Sequence, residues 1–231
     1  DDLLFEITGH LNLAAAQISD PAERVRLAEL DLAAGRKARR AAAFAAAVQH
    51  LRQGIAALPE GSWSERYPLT FALHRECMEC EHFAGDPAAA AARFAPLLAR
   101  ARDDLDRAEI YDLKVALETD LADVQKALDA GRAGLARLGV QLPLRTSRLA
   151  MLRELAAVRL LRGRTPLRDL ADLPEARDPK IIRAQRLLSR TCVAAYSLEA
   201  ELSILYLLRA LALALRHGVT GESSIALAVY A

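Results

Sequence analysis

The segment FAAAVQHLRQGIAAL, residues 44–58, contains the pattern on which the fold depends. Phe44, Ala47, Leu51 and Gly54 follow one another in steps of three and four residues, so a helix places all four on one face. The small residues Ala47 and Gly54 let a neighbouring helix approach closely, and Leu51 supplies a larger side chain. The segment therefore predicts a helix that packs tightly against its neighbours.

A similar pattern recurs twice further along the chain. Ala47 has counterparts at Ala90 and Ala127, so the spacings are 43 and 37 residues. A tetratricopeptide repeat, a pair of antiparallel helices, has a period of about 34 residues. The Trp, Gly and Tyr expected in the first helix of each pair are mostly missing. The pattern predicts an all-α protein, a right-handed α-α superhelix of diverged tetratricopeptide-like helix pairs. The remaining positions of the pattern are Phe94, Leu97, Gly131 and Gly134.

The composition supports helices and excludes several classes of protein. Ala and Leu supply 89 of 231 residues, and aromatic residues only 5%. Such a chain is not a β-sandwich or barrel, and it is too apolar to be disordered. A net charge of +1 argues against electrostatic nucleic-acid binding. The most apolar stretch, 202–215, is shorter than a membrane span and contains Arg209, so we expect a buried helix there.

Three cysteines, Cys77, Cys80 and Cys192, argue against a disulfide framework and favour a reducing, cytoplasmic location. No signal peptide is visible, and both ends of the sequence resemble cut ends of a longer protein. The chain is expected to contain a helical tail of a preceding module (1–20), helix-pair repeats (21–140) and continuing helical repeats truncated at the C-terminus (141–231).

Helix limits follow from turn and capping signals. We expect Gly35 to end a helix that starts at Pro21, and Pro96 to kink the helix that contains it. The helix over 198–215 is expected to be the most buried of the second half. The other predicted helices are 3–18, 39–58, 63–83, 87–102, 104–118, 121–138, 147–161, 167–170 and 179–192, with a last one from 222.

One cluster has metal-binding residue types: His74, Cys77, Cys80 and His82. Thiolates and imidazoles can bind zinc, but all four residues lie in one predicted helix, whereas structural zinc ligands usually come from two segments. Buried, reduced thiols are therefore favoured over a metal site. No catalytic, cofactor-binding or metal residue is assigned, no cofactor is expected, and the binding residues are not identified.

Other polar residues also have alternative interpretations. Glu76, Glu79 and Glu81 predict a solvated helix face in preference to a partner-binding patch. Trp63 suits a structural role in capping the helix pairs better than a binding anchor. The isolated histidines are expected to be surface or hydrogen-bonded residues and not catalysts: His10, His50 and His217.

Several segments resemble the helical region that follows the AAA/STAND-type ATPase module in large bacterial signalling proteins. These proteins combine a serine/threonine kinase-like domain, a predicted ATPase and a sensor histidine kinase. The resemblance covers most of the chain, and its motifs are helical segments without catalytic signatures. The segments are LAAGRKA (32–38), the helix 44–58, YPLTFALH (67–74), ECMECE (76–81), GLARLGVQLP (134–143) and DLADLP (169–174).

The resemblance implies a non-enzymatic interaction or sensory relay module of a larger signalling ATPase/kinase. Its partner would be another protein or the ATPase and kinase domains of the same chain, and a homodimer is a candidate assembly. A purely structural spacer between ATPase and kinase is the main alternative, and an all-α enzyme domain is a weaker one. Neither nucleic acid nor a membrane is an expected partner.

Overall fold

The computed structural model describes residues 3–163 and 173–223. Within these ranges every regular element is a helix, and the one β-type pairing is an isolated bridge between Glu175 and Val219. The chain divides into two compact units, Asp1–Ala101 and Arg102–Ala231. The predicted all-α class is confirmed. The superhelical path and the predicted limits at residues 20 and 140 stay predictions.

The first unit contains six α-helices in its described part. Helix α2 packs on α3, α3 on α5, and α5 on α6, so successive helices are neighbours. Their core is formed by aliphatic side chains and two thiols, including Leu27, Leu51, Leu73, Cys77 and Cys80. The helices are α1 Leu3–Leu13, α2 Pro21–Arg40, α3 Phe44–Ala57, α4 Ser62–Glu65, α5 Tyr67–Phe83 and α6 Pro87–Arg100.

The second unit contains five described α-helices. Helix α10 packs against α7, α8 and α11, and α9 packs against α11. The most apolar described helix of this unit, α11, has more buried residues than the others, as the sequence predicts. The helices are α7 Asp104–Asp120, α8 Val124–Arg137, α9 Arg148–Arg162, α10 Pro179–Leu198 and α11 Ala200–His217.

Three helix pairs, α2–α3, α5–α6 and α7–α8, share one three-residue turn. In each turn the residue before the second helix donates its backbone N–H to the carbonyl five residues earlier, at 2.9 Å. The middle residue has a positive φ in each: Ala42 at 56°, Gly85 at 84° and Ala122 at 59°. This is the Schellman ending of a helix. The same turn chemistry therefore recurs at the spacings that the sequence shows.

The predicted anchor alanines lie at equivalent places in these pairs. Ala47, Ala90 and Ala127 each follow the turn by one helical turn, and each is 0% exposed. An alanine there leaves room for the preceding helix to pack close. The prediction that these three positions are equivalent is confirmed.

Several predicted helix limits are wrong. Gly35 lies inside α2, and a Cβ at this position would lie 2.7 Å from Leu51 Cγ on α3. This glycine allows close packing of α2 on α3 and does not end the helix. The predicted helix 63–83 is two helices, α4 and α5, and α10 continues beyond the predicted end at Cys192. The predicted helix 167–170 and residues 224–231 lie outside the described residues.

The positive φ of Ala42 provides a test of the shared turn. We expect Ala42→Gly to raise the free energy of unfolding by about 0.5–1 kcal/mol, because Cβ is strained in this region of φ. The control Ala41→Gly should lower it instead, since Ala41 has a φ of −86°. Urea unfolding followed by circular dichroism measures both, and equal losses in the two variants would contradict the turn assignment.

Candidate functional site

The first unit contains a pocket of about 550 Å³ between α3, α4, α5 and α6. We call it the arginine pocket. Its polar and aromatic lining residues are Arg52, Trp63, His74, Glu81, Arg93 and Arg100. Such a volume suits a small ligand or a few residues of a peptide.

A buried carboxylate lies at the centre of the pocket. Glu81 is 0% exposed, and it accepts hydrogen bonds from Arg93 Nε at 2.6 Å and from Arg93 Nη2 at 2.9 Å. Arg52 Nε donates a third bond at 3.0 Å. Burial pushes the pKa of Glu81 upward, but the bonds from Arg93 and Arg52 outweigh burial, so the pKa lies below its usual value. Glu81 therefore stays ionised and orients both guanidinium groups.

Aromatic rings form one wall of the pocket. The Trp63 ring lies 5.0 Å from the His74 ring, between centroids, and the Arg100 guanidinium lies over Trp63 at 5.7 Å. Burial, with a contribution from the charge of Arg93, lowers the pKa of His74 to about 4. His74 is thus neutral near pH 7, and the indole face is adjacent to a positive charge.

A second wall of the pocket is formed by α6, whose lining side chains are small and apolar apart from its arginines. Ala89, Ala92 and Pro96 line the pocket there. Arg93 and Arg100 are seven residues apart, so α6 presents both on one face. The lining residues include three arginines and one carboxylate, a formal excess of two positive charges. Asp86, outside the lining, lies 3.7 Å from Arg52 Nη2 and offsets part of that excess.

The acidic segment of α5 is not the solvated face that the sequence predicts. Glu76 is 1% exposed and lies 2.7 Å from Arg36 Nη2 and 3.1 Å from Arg75 Nη2. Glu79 lies 2.6 Å from Arg39 Nη1. The prediction is wrong because arginines on α2 lie opposite these carboxylates and balance their charge. Arg36 and Arg39 have the same three-residue spacing as Glu76 and Glu79, which is the signal that sequence inspection missed.

The four potential zinc ligands do not converge. His74 lines the arginine pocket, whereas Cys77 and Cys80 are buried in the core and His82 packs beside Phe83. Burial raises the pKa of both thiols to about 12, which favours their protonated forms. Within residues 3–163 and 173–223, no group of three or more His, Cys, Asp or Glu side chains is placed to hold a metal ion.

A second polar cluster connects α1 to the first helix pair. Asp31 is 0% exposed, and its Oδ1 accepts from Asn12 Nδ2 at 2.8 Å and lies 3.0 Å from His50 Nδ1. Asn12 also donates to Gln53 Oε1 at 3.0 Å. Burial raises the pKa of Asp31, and the bonds from Asn12 and His50 oppose it. This cluster fastens α1, and His50 is a hydrogen-bonded histidine, as expected.

Searches of protein-family models, of curated proteins and of solved structures each found no match to this chain. Among the helices of the described residues, none is both long enough and apolar enough to cross a membrane.

Proposed function

We propose that this chain is a non-enzymatic helical-repeat binding module and that its arginine pocket binds an acidic segment of a protein partner. The observation that carries the proposal is the grouping of Arg52, Arg93 and Arg100 with Trp63 around one buried carboxylate. Guanidinium groups bind carboxylates through paired, charge-assisted hydrogen bonds. An acidic side chain in the pocket would offset the excess positive charge.

The pocket is pre-organised for such a ligand. Arg93 uses Nε and Nη2 for Glu81, and Arg52 uses Nε and Nη2, so one edge of each guanidinium is fixed by the protein. Fixing these side chains in advance reduces the entropy lost on binding. The apolar part of a ligand would lie between Trp63 and the alanines of α6.

The protonation states favour recognition over acid–base chemistry. A general acid or base works best with a pKa near the working pH. The pKa of His74 is lowered to about 4, and Glu81 is held ionised by two arginines. These groups keep one charge state near pH 7, as suits a binding site.

The wider role that we propose follows the resemblance to bacterial signalling ATPases. The bound segment belongs to a separate protein or to an ATPase or kinase domain of the same chain, and binding biases the activity of those domains. The three cysteines are free and buried, which suits the cytoplasm. The alternative function, a structural spacer, gives no role to the positive charge of the arginine pocket.

The proposal is tested with the labelled peptide fluorescein-Gly-Glu-Asp-Leu-Gly-amide, followed by fluorescence anisotropy. Its control is fluorescein-Gly-Gln-Asn-Leu-Gly-amide, which lacks the two carboxylates. We expect the acidic peptide to bind at least tenfold more tightly, because only its carboxylates pair with the arginines. Added salt should weaken that binding. Equal affinities for the two peptides would favour the spacer.

A further inference from the structure

Helix α9 exposes a row of apolar side chains on the second unit. Leu149 is 78% exposed, Leu152 64% and Leu160 81%. With exposed Ala156 they follow steps of three and four residues, so they form one seam along the helix. The seam spans twelve residues, 149–160, about 16 Å at the helical rise per residue. Leucine seams of this spacing normally pack against another helix.

The charged residues beside this seam are all basic. Arg148, Arg153 and Arg159 are exposed and flank the leucines. The one acidic residue of α9, Glu154, is buried on the opposite face, where Arg153 Nη2 and Arg209 Nη1 each lie 3.4 Å from its carboxylate. The outer surface of α9 therefore combines leucine with positive charge alone.

The position of α9 leaves this seam on the outside of its unit. Within the described residues the helix packs mainly on α11, and it buries only Glu154 and Val158. In repeat proteins the last helix of a stack normally presents a polar face to solvent. An apolar outer face is instead typical of an interaction surface.

We propose that the outer face of α9 docks an acidic amphipathic helix of a protein partner. Leucines of the partner would pack along the seam formed by Leu149, Leu152, Ala156 and Leu160, and its flanking carboxylates would pair with Arg148, Arg153 and Arg159. This surface lies on a different unit from the arginine pocket and does not depend on the function proposed for that pocket.

Charge complementarity decides which occupant fits. A second copy of this chain would bring another α9, with its own row of arginines, against the first, and like charges on facing helices repel. A partner helix with glutamates beside its leucines removes that repulsion and adds ion pairs. The seam length matches about three turns of such a helix.

The test uses a synthetic peptide of three heptads with Leu at positions a and d and Glu at e and g, labelled with fluorescein. A matched peptide carries Lys at e and g. We expect the Glu peptide to bind the full 231-residue chain at least tenfold more tightly than the Lys peptide. Fluorescence anisotropy at low and high salt measures both affinities.

Variants locate the binding surface. Arg148→Glu with Arg159→Glu should weaken binding of the Glu peptide at least tenfold, as should Leu149→Gln with Leu152→Gln. The control pair Arg26→Glu with Arg137→Glu makes the same change in net charge at exposed sites on other helices and should alter affinity less than about twofold. Circular dichroism confirms that each variant is folded.

Three results would overturn the proposal. The first is that the Glu and Lys peptides bind equally tightly, or that neither peptide binds. The second is an equal loss in the control pair, which would indicate unspecific attraction to net charge. The third is binding to vesicles of equal parts phosphatidylserine and phosphatidylcholine without binding to the Glu peptide, which would make α9 a membrane-surface helix.

Discussion

Replacing Arg93 by Met is expected to lower the free energy of unfolding of the first unit by about 3 kcal/mol at neutral pH. Glu81 is fully buried, and Arg93 and Arg52 each contact it through Nε and Nη2, but the Arg93 side chain is only 23% exposed against 49% for Arg52. Met keeps the apolar stem of the side chain but removes the charge. Removing one partner of a buried ion pair leaves the other charge poorly compensated, at a cost of about 3–5 kcal/mol. Arg52 still forms an ion pair with Glu81 in this variant, so we expect a loss near the lower end of this range.

The pH dependence of this variant follows from the pKa of Glu81. In the native protein that pKa lies below the usual 4.5, so ionised Glu81 stabilises the fold above that value, and this stabilisation is lost as the pH falls through the folded-state pKa. Without Arg93, burial raises the pKa and the carboxyl group takes up a proton more readily. The difference in stability between the variant and the native protein should therefore shrink as the pH falls toward about 4.

Trp63 fluorescence during urea unfolding measures this difference, because the only tryptophan of the chain lies in the first unit. The matched control is Arg52→Met. That side chain is 49% exposed and can be replaced by water, so we expect a loss of about 1 kcal/mol. A loss in Arg93→Met no larger than the control, or independent of pH, would contradict the assigned role of Glu81.

Replacing Tyr206 by Ala is expected to destabilise the second unit by about 4 kcal/mol. Tyr206 is 0% exposed in the core of that unit, and deleting a buried aromatic ring costs about 3–5 kcal/mol. Its hydroxyl donates to the Pro143 carbonyl at 2.9 Å and accepts from Arg132 Nε at 3.1 Å. The side chain thus fastens the connector between α8 and α9 to α11.

The control Tyr206→Phe separates packing from hydrogen bonding. It keeps the ring and removes both bonds, so we expect a loss of about 1 kcal/mol. Urea unfolding followed by circular dichroism gives both values. Hydrogen exchange of the Val140 amide, which donates to the Leu135 carbonyl at 2.9 Å where the connector begins, should speed up in both variants, because the anchored Pro143 carbonyl is released. Unchanged exchange in Tyr206→Phe would show that the hydroxyl does not hold the connector.

Much of the helical fold could be predicted from the sequence. Spacing identified Ala47, Ala90 and Ala127 as equivalent, because burial against a neighbouring helix selects small residues at a fixed period. Gly35 was misjudged for a related reason: the pattern within one helix does not show whether a glycine ends that helix or admits Leu51 of the next one. The distinction depends on contacts between α2 and α3, which local signals do not contain.

The arginine pocket was only partly predictable. The sequence points to Trp63, His74 and Glu81 individually but not to Arg52 or Arg93, and it predicts that the acidic residues of α5 face solvent. The pocket unites side chains from four helices spread over 49 residues, from Arg52 to Arg100. A carboxylate can be buried only where opposite charges meet it, and those charges lie on other helices. Single-helix patterns therefore could not show which carboxylates are buried.

Trp63 emission most directly tests whether the arginine pocket binds carboxylates. Its indole lies beside Arg100 in the pocket, so a ligand there changes its surroundings. Unlabelled acetyl-Gly-Glu-Asp-Leu-Gly-amide should produce a saturable change in emission, and the neutral peptide acetyl-Gly-Gln-Asn-Leu-Gly-amide should not. Arg100→Gln should lower the affinity for the acidic peptide at least tenfold. An identical response to both peptides, or an unchanged affinity in Arg100→Gln, would contradict a carboxylate-binding pocket.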